Sequence, residues 1–256
     1  MGTIVKSIKI LIWVALVSLL LTYLISLNIE ICFISIGCNV VSNNFLFAVF
    51  SGIFTSTLVV LICEIYKYYD TKKRVESVLF TQLASLYGQL LIIRNNVGRY
   101  LHNLKDPLPM ELLQMPTSNS LTILNNIRII EYCSFKGKSE IEDGLQSFNN
   151  DIAARLDNFL IDCRVLDIAI YEDRISFMQN GISNPVITSI CDKSHKVLVI
   201  INKQIEGYIN EVDSFIIKID QKCNERYDWV KRRNSMSQNI LYSKFSGLED
   251  FISKNN

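Results

Sequence analysis

Few residues in this chain are of the types that carry out catalysis. His102 and His195 are its only histidines, and so its only side chains that ordinarily titrate near neutral pH. Neither belongs to a recognisable nucleophile–base pair, and no Cys and His residues have the spacing of zinc ligands. The ten glycines are too scattered to form a phosphate-binding loop. We therefore expect no catalytic, cofactor-binding or metal-binding residues, and a protein that is not an enzyme.

One basic and aromatic cluster could bind phosphate groups. It is the sequence ERYDWVKRRN, in which Trp229 precedes Lys231, Arg232 and Arg233. Such a cluster could contact the phosphates of lipid headgroups or of nucleic acid. It could equally be the positively charged end of a helix, with an amphipathic Trp at the edge of a helical bundle. The sequence leaves both interpretations open.

Charge is distributed very unevenly along the 256 residues. Only Lys6, Lys9 and Glu30 are charged before Glu64. The intervening residues contain two apolar stretches, Ile8–Leu27 and Phe45–Cys63. Twenty helical residues extend about 30 Å, the thickness of the hydrocarbon core of a bilayer. The first stretch is too long for the apolar region of a usual signal peptide, and no small-residue cleavage site follows it. Both stretches are therefore predicted to be transmembrane helices.

The positions of Lys and Arg predict the orientation of the two spans. Lys6 and Lys9 precede the first span, and Lys67, Lys72, Lys73 and Arg74 follow the second. The loop between the spans has neither residue type, so both termini are predicted to be cytoplasmic.

Six of the seven cysteines fall into two groups. Cys32 and Cys38 lie in the loop predicted to be outside, where an oxidising environment would let them form a disulfide. The same loop is apolar enough to sit in the membrane interface instead. Cys133, Cys163, Cys191 and Cys223 stand singly in helical patterns and are expected to be buried reduced thiols.

Each predicted span carries a ridge of small or hydroxylated residues spaced four apart. The ridge of the first span is Ser18, Thr22 and Ser26, and that of the second is Ala48, Gly52 and Ser56. Small residues let helices approach closely in lipid. The ridges could pack the two spans against each other, or one of them could face another subunit.

The rest of the chain has helical spacing of apolar residues and no strand-like alternation. The absence of Pro between Asn43 and Asp106 permits one helix from about Phe45 to Leu104. A break near Asp70 or Thr71 is the alternative. Residues 105–119 are predicted to be mostly loop, and the later helices to be Ser118–Phe135, about 139–180, 185–223 and 237–252.

These elements predict an all-α protein with two domains. Residues 1–66 would be a transmembrane hairpin, and residues 67–256 an elongated antiparallel bundle in the cytoplasm. The apolar stripes of the bundle step by four and three residues, as in coiled coils, so they could bury against each other or against a second copy.

This organisation resembles the two-span, retron-associated membrane effectors of bacterial anti-phage systems. The resemblance is in architecture, and no diagnostic motif supports it. It implies a toxin-like protein of the bacterial inner membrane, held silent by a regulatory protein or a nucleoprotein and damaging to the membrane when released.

The leading hypothesis is therefore a homo-oligomeric effector that depolarises or disrupts the bilayer under control of its helical domain. The rival hypothesis is a membrane-tethered scaffold that recruits a cytoplasmic partner. Whether the chain binds nucleic acid directly is left open by its sequence.

Overall fold

The structure is a computed structural model. It describes residues 2–26, 40–102, 112–130, 132, 140–180 and 185–236, with the backbone alone at 40–43, 102, 173–180 and 185–194. Every regular element in these ranges is helical, which confirms the predicted all-α class for this part of the chain.

The helices follow one another as α1 Gly2–Ser26, α2 Val40–His102, α3 Gln114–Arg128, α4 Glu140–Ser147, a π-helical segment Phe148–Ala153, α5 Ala154–Asn180 and α6 Pro185–Lys222. A short helix over residues 229–236, here α7, comes after a turn. The predicted loop cysteines Cys32 and Cys38, the remainder of the loop between the spans, Cys133, and the predicted helix 237–252 lie outside the described residues, and Cys191 lies where only the backbone is described.

The chain forms two compact units. Unit 1 consists of Met1–Val75 with Glu131–Ser139, and unit 2 of Glu76–Ile130 with Glu140–Asn256. Helix α2 contributes its first part to unit 1 and its second part to unit 2.

Unit 1 contains two helices that are long and apolar enough to cross a membrane. The most apolar 18-residue windows of α1 and α2 both have a mean hydropathy of 2.4, and only 17% and 6% of these windows are buried. A core helix of a soluble protein with such a composition would be mostly buried. Most apolar side chains in these windows instead face outward.

A small hydrophobic cluster joins α1 to α2 within unit 1. Val5 and Ile8 of α1 are buried together with Tyr68 of α2, and Leu61 packs at the edge of the cluster. Tyr68 lies five residues after Cys63, the end of the second apolar stretch. The contact between the helices therefore continues past the end of that stretch.

Helix α2 is unbroken over 63 residues, which confirms the predicted continuous helix up to the last described residue, His102. No kink-forming Pro interrupts its hydrogen bonds. In unit 2 its apolar stripe lies in the core, as its spacing of three and four residues predicts. Leu79, Leu83, Leu86, Leu90, Ile93 and Val97 are all fully buried.

The core of unit 2 is formed by α2 together with helices α3 to α7. Helix α5 packs against both α3 and α6, and α4 packs against α6. The largest fully buried side chains include Trp229, Tyr100, Phe80 and Phe148. Along α6, Val197 is 42% exposed while its neighbour Leu198 is in the core.

A π-helical segment separates α4 from α5. The buried stripe of this long helix steps five residues from Phe148 to Ala153, where an α-helix would step three or four, and then three residues to Leu156. A π turn accommodates one additional residue. The wider turn at Phe148–Ala153 therefore keeps both halves of the stripe facing the same core.

Helix α3 begins earlier than predicted and ends earlier too. Pro116 lies in its first turn, where the missing N–H costs no intrahelical hydrogen bond. The N–H groups of Leu113 and Gln114 donate to Oδ2 of buried Asp167, at 3.1 and 2.9 Å. The start is thus stabilised by a residue on α5, far away in sequence, so the loop predicted through residue 119 is wrong from Gln114 onward. Ile129, Ile130 and Tyr132 are not helical, so the predicted end at Phe135 is also wrong.

Asp167 gives a prediction for stability. Its Oδ1 also accepts a hydrogen bond from the Tyr100 hydroxyl at 2.6 Å, so Asp167→Ala removes three charge-assisted bonds from a site that is 2% exposed. We expect a loss of about 2–4 kcal/mol in the free energy of unfolding, measured by denaturant titration of the full chain in detergent. Asp162→Ala, on the exposed side of α5, is the control and should change it by less than about 0.5 kcal/mol. Equal effects of the two variants would contradict the proposed cap.

Candidate functional site

The ridge on α1 satisfies its own polar groups. Ser18 is 3% exposed, and its hydroxyl donates to the carbonyl of Ala15 at 3.0 Å. The Thr22 and Ser26 hydroxyls likewise donate to carbonyls one turn back, both at 2.8 Å. These hydroxyls can therefore lie in an apolar environment without an external hydrogen-bond partner.

The ridge on α2 faces outward. Ala48, Gly52 and Ser56 are exposed, and a Cβ placed on Gly52 would meet no atom within 4 Å. Thr57, on another face of the same turn, is only 8% exposed. Of the two roles left open by the sequence, packing within the chain would bury this ridge. In the described part of the chain the three residues of this ridge are exposed.

The basic aromatic cluster is divided between the interior and the surface of unit 2. Trp229 is 1% exposed, and its indole N–H donates to Oδ1 of Asp213 at 2.7 Å. Arg233 donates to the other oxygen of the same carboxylate at 2.6 Å. Both residues therefore have partners in the protein.

Lys231 and Arg232 are the exposed members of the cluster. The Lys231 side chain is 84% exposed, with a long contact of 3.8 Å to Asp228. The Arg232 guanidinium lies over the Phe80 ring, 5.5 Å from its centroid. The predicted phosphate contact stays a prediction, and these two residues are the ones placed to make it.

Aromatic rings hold α7 against α2. Trp229 meets Phe80 and Tyr87 edge-to-face, with centroids 5.8 and 5.1 Å apart, and Tyr227 stacks on Phe80 at 4.3 Å. Buried aromatic pairs of this geometry stabilise a contact beyond the area they bury. Arg226 also forms an ion pair with Glu76, a carboxylate with a 7% exposed side chain, at 3.2 Å.

The turn between α6 and α7 is held in a strained conformation. Asn224, Glu225 and Asp228 have φ values of 56°, 52° and 49°, in the left-handed region that L residues disfavour. Asp220 compensates from inside the turn, because its carboxylate accepts the N–H groups of Tyr227 and Trp229 at 2.9 and 2.8 Å. The Asp220 carboxylate therefore stabilises the turn that brings α7 against α2.

Asp213 and Asp220 were not identified from the sequence. They stand seven residues apart, two turns along one face of α6, between apolar residues of the core stripe. Two acidic residues at a seven-residue spacing beside a buried apolar stripe are the sequence pattern that could have identified them.

The histidines, the cysteines and the remaining acidic residues do not form a site in the described part of the chain. His195 is exposed, and the side chain of His102 is outside the described residues.

Burial raises the pKa of the Cys163 thiol to about 12, so it stays protonated and unreactive. Among the acidic residues of α4 and α5, Glu140, Asp143 and Glu172 are exposed and Glu142 is half-buried. Among the described side chains, no three His, Cys, Asp or Glu residues are grouped as metal ligands would be.

Comparison with known proteins gives no relative. No protein-family model, curated protein or solved structure matches this chain.

The strained turn gives the second prediction. Glu225→Gly removes the steric cost of the positive φ, and we expect the free energy of unfolding to rise by about 1 kcal/mol despite the greater backbone freedom of Gly. Glu225→Ala is the matched control, because it removes the same side chain but keeps the Cβ responsible for the strain. A gain of equal size in both variants, measured by denaturant titration, would show that the side chain rather than the backbone is unfavourable.

Proposed function

We propose that this chain is a non-enzymatic membrane effector, in which a transmembrane hairpin of α1 and α2 perturbs the bilayer under control of the helical unit that follows. The observation that carries the proposal is the continuity of α2. Its first part has the exposed apolar surface expected for a span, and its second part is the buried centre of unit 2. One helix would thus extend from the lipid of the membrane into the water-exposed unit 2.

The exposed apolar side chains of α1 and α2 support insertion of both helices. Trp13, Phe45 and Val59 are each at least 60% exposed and would be solvated by lipid. Together with the basic residues on both sides of the pair, this exposure supports the proposal that α1 and α2 lie in the inner membrane of a bacterial cell with both termini in the cytoplasm.

The free ridge of α2 supports self-association. A helix face with Ala, Gly and Ser at four-residue spacing lets a second backbone come close, and packing contacts of this kind drive association where no water is present. The occupant we propose is the same ridge of a second copy, so that oligomers form through α2. Beside the ridge, the hydroxyls of Ser51 and Thr55 donate to carbonyls of their own helix, so they need no partner in that copy.

The contacts of unit 2 support a control role. Leu79 and Phe80 begin the buried part of α2 only a few residues after Arg74, so a rearrangement of unit 2 acts on the helix that enters the membrane. A regulatory protein or nucleoprotein that binds unit 2 would hold or release that rearrangement. Exposed Lys231 and Arg232 would attract the phosphates of a lipid or nucleoprotein.

A second candidate function, the tethered scaffold, is favoured by one surface of α5. Ile161, Val165 and Ile168 recur at four and three residues along this helix and are 50%, 60% and 48% exposed. A row of branched apolar residues on a surface helix suits the docking of a partner helix. The scaffold would use this row, and its spans would only anchor it.

Expression in a bacterium distinguishes the two functions. The effector should arrest growth and collapse the membrane potential, read with a potential-sensitive dye, while the chain lacking residues 1–66 should do neither. A full-length chain that inserts, as shown by membrane fractionation, but leaves the potential intact would support the scaffold and overturn the effector.

The ridge gives the third prediction. Gly52→Leu adds bulk at the centre of the free ridge without filling any space inside the chain. We expect crosslinked oligomers in membranes, and any depolarisation, to fall by about tenfold, which corresponds to a loss of about 1.4 kcal/mol in association.

Ser51→Leu is the control for this change. Ser51 is the neighbouring residue, about 100° away around the helix, so the variant adds a similar bulk off the ridge. Oligomers that persist in Gly52→Leu, or fall equally in both variants, would remove the ridge from the mechanism.

The continuity of α2 gives the fourth prediction. Replacing Tyr69–Lys72 by Gly-Gly-Pro-Gly should break the helix between the span and unit 2, since Pro costs about 3 kcal/mol in a helix interior and each Gly about 1 kcal/mol. The position spares Tyr68, which packs on α1, and Leu79, where the core begins. Under the effector function this variant should insert and fold but not depolarise cells.

Four alanines in the same place keep the helix and form the control. They should leave depolarisation unchanged. A Gly-Gly-Pro-Gly variant that depolarises as strongly as the alanine variant would show that the helix transmits no signal.

A further inference from the structure

One exposed face of α1 carries cationic, aromatic and aliphatic side chains in that order. Lys6 and Lys9 are exposed near the start of the helix. Trp13, Leu16 and Leu20 follow and are 70%, 53% and 59% exposed. Steps of three, four, three and four residues join these five positions, so they lie along one side of the helix. A helix that enters a bilayer from water meets lipid phosphates, the interface and hydrocarbon in the same order.

A face of α2 within unit 1 has the same three chemical classes in the reverse order. Ile62, Tyr66 and Tyr69 are 58%, 75% and 63% exposed. Lys73 follows them and is also exposed. Steps of four, three and four residues place the four side chains along one side of α2, over about 16 Å. Tyr68 is buried against α1 instead, so this exposed row faces away from the contact between the two helices.

The cationic ends of the two rows lie at the same end of unit 1. Val5 and Ile8, on either side of Lys6, are buried with Tyr68 in the small hydrophobic cluster between α1 and α2. In the hairpin proposed above the helices run antiparallel, so both rows change from cationic to apolar in the same direction. The two rows together thus mark one boundary between polar and apolar surroundings.

Positive charge is in excess at this end of unit 1. Its described residues include six basic side chains, at positions 6, 9, 67, 72, 73 and 74, and two acidic ones. The Glu64 carboxylate is bound by Lys67 at 2.7 Å. The Asp70 carboxylate is bound by Arg74 at 2.9 Å. Both carboxylates therefore have partners within α2 and leave the excess charge in place.

Three of the basic side chains are available to a ligand. Lys6, Lys9 and Lys73 are exposed and form no ion pair within the described part of the chain. Their ammonium groups belong to the two rows, which continue from them into exposed apolar surface. A nucleic acid would match the ammonium groups but would leave Leu16 and Leu20 in water. A phospholipid matches both parts of each row, because its phosphate is followed by glycerol and hydrocarbon chains.

We propose that the two rows bind anionic phospholipids at the cytoplasmic face of the membrane, with Lys6, Lys9 and Lys73 against the lipid phosphates and the aromatic rings at the level of the glycerol. This inference rests on the membrane location proposed above and adds a lipid preference to it. A phosphatidylglycerol headgroup has an uncompensated negative charge, whereas the ammonium of phosphatidylcholine opposes the approach of a lysine. The two rows therefore select anionic lipids around the hairpin.

Quenching of tryptophan fluorescence by brominated lipids tests the preference on the full chain in reconstituted bilayers. Trp13 and Trp229 are the only tryptophans, and Trp229 is 1% exposed, so lipid bromine acts on Trp13. Competition between phosphatidylglycerol and phosphatidylcholine, each brominated in turn, gives the ratio of their binding constants at this surface. We expect a ratio of at least about threefold in favour of phosphatidylglycerol, falling toward one in about 1 M salt, where screening is strong.

Removal of the three charges tests the assignment to these residues. Lys6→Gln, Lys9→Gln and Lys73→Gln together should reduce the ratio to about one, because the amides carry no charge. The corresponding change of all three to Arg keeps the charge and should keep the preference. A matched control removes the same number of charges from α6 and should leave the ratio unchanged. It changes to Gln three exposed lysines of that helix, Lys196, Lys203 and Lys218.

Resistance to extraction by alkaline carbonate reports insertion separately from lipid preference. An inserted chain that is quenched equally by both lipids, or whose Gln variant keeps the preference, would overturn this inference and leave the proposed function standing. A fall of equal size in the α6 control would overturn it too, because the effect would then reflect net charge. A chain that is released by carbonate and quenched by neither lipid would overturn the membrane location itself, and this inference with it.

Discussion

The backbone hydrogen bonds of α2 are the constraint on which the rest of the structure depends. In the membrane that we propose for the first part of this helix, no water can satisfy a free N–H or C=O, so the helical conformation would have no alternative there. In unit 2 the same helix is held by packing, with a row of fully buried leucines and one isoleucine along one face. The residues between these two parts are stabilised neither by a surrounding membrane nor by complete burial in the core. They remain helical because no Pro intervenes and because ion pairs such as Arg74 with Asp70, at 2.9 Å, follow the helix repeat.

Three carboxylates organise the helical unit around α2, and two of them, Asp167 and Asp220, are buried. Asp167 fixes the start of α3, Asp220 closes the turn before α7, and Asp213 orients Trp229. Each accepts hydrogen bonds from N–H or O–H groups of residues far from it in sequence or across a turn. A charge in the interior is costly unless it is fully hydrogen-bonded, so these sites tolerate few substitutions. They confer a specific arrangement of helices where apolar stripes alone would allow several.

The sequence predicts the helical class and the core face of α2, because a repeat of three and four residues determines which side of a helix is apolar. It is less informative where a structure is made by distant residues. The early start of α3 depends on Asp167, 53 residues after Gln114, and no local signal at Pro116 reveals it. The sequence also allows Trp229 to be interpreted as a residue at the bundle edge, because the two aspartates that accept its N–H groups lie on another helix. The ridge of the second predicted span is visible as a pattern, but its exposure depends on how α1 packs, which periodicity does not specify.

The π-helical segment has a consequence for how sequences of this kind should be compared. Its extra residue sits between two stretches that each follow the 4-3 repeat, so a chain one residue shorter at Asn149 or Asn150 would have an uninterrupted repeat and the same core. Homologues are therefore expected to differ by a single-residue gap at this place more readily than elsewhere in the helix. An alignment that moves the gap by one turn would shift buried onto exposed positions and conceal the relationship.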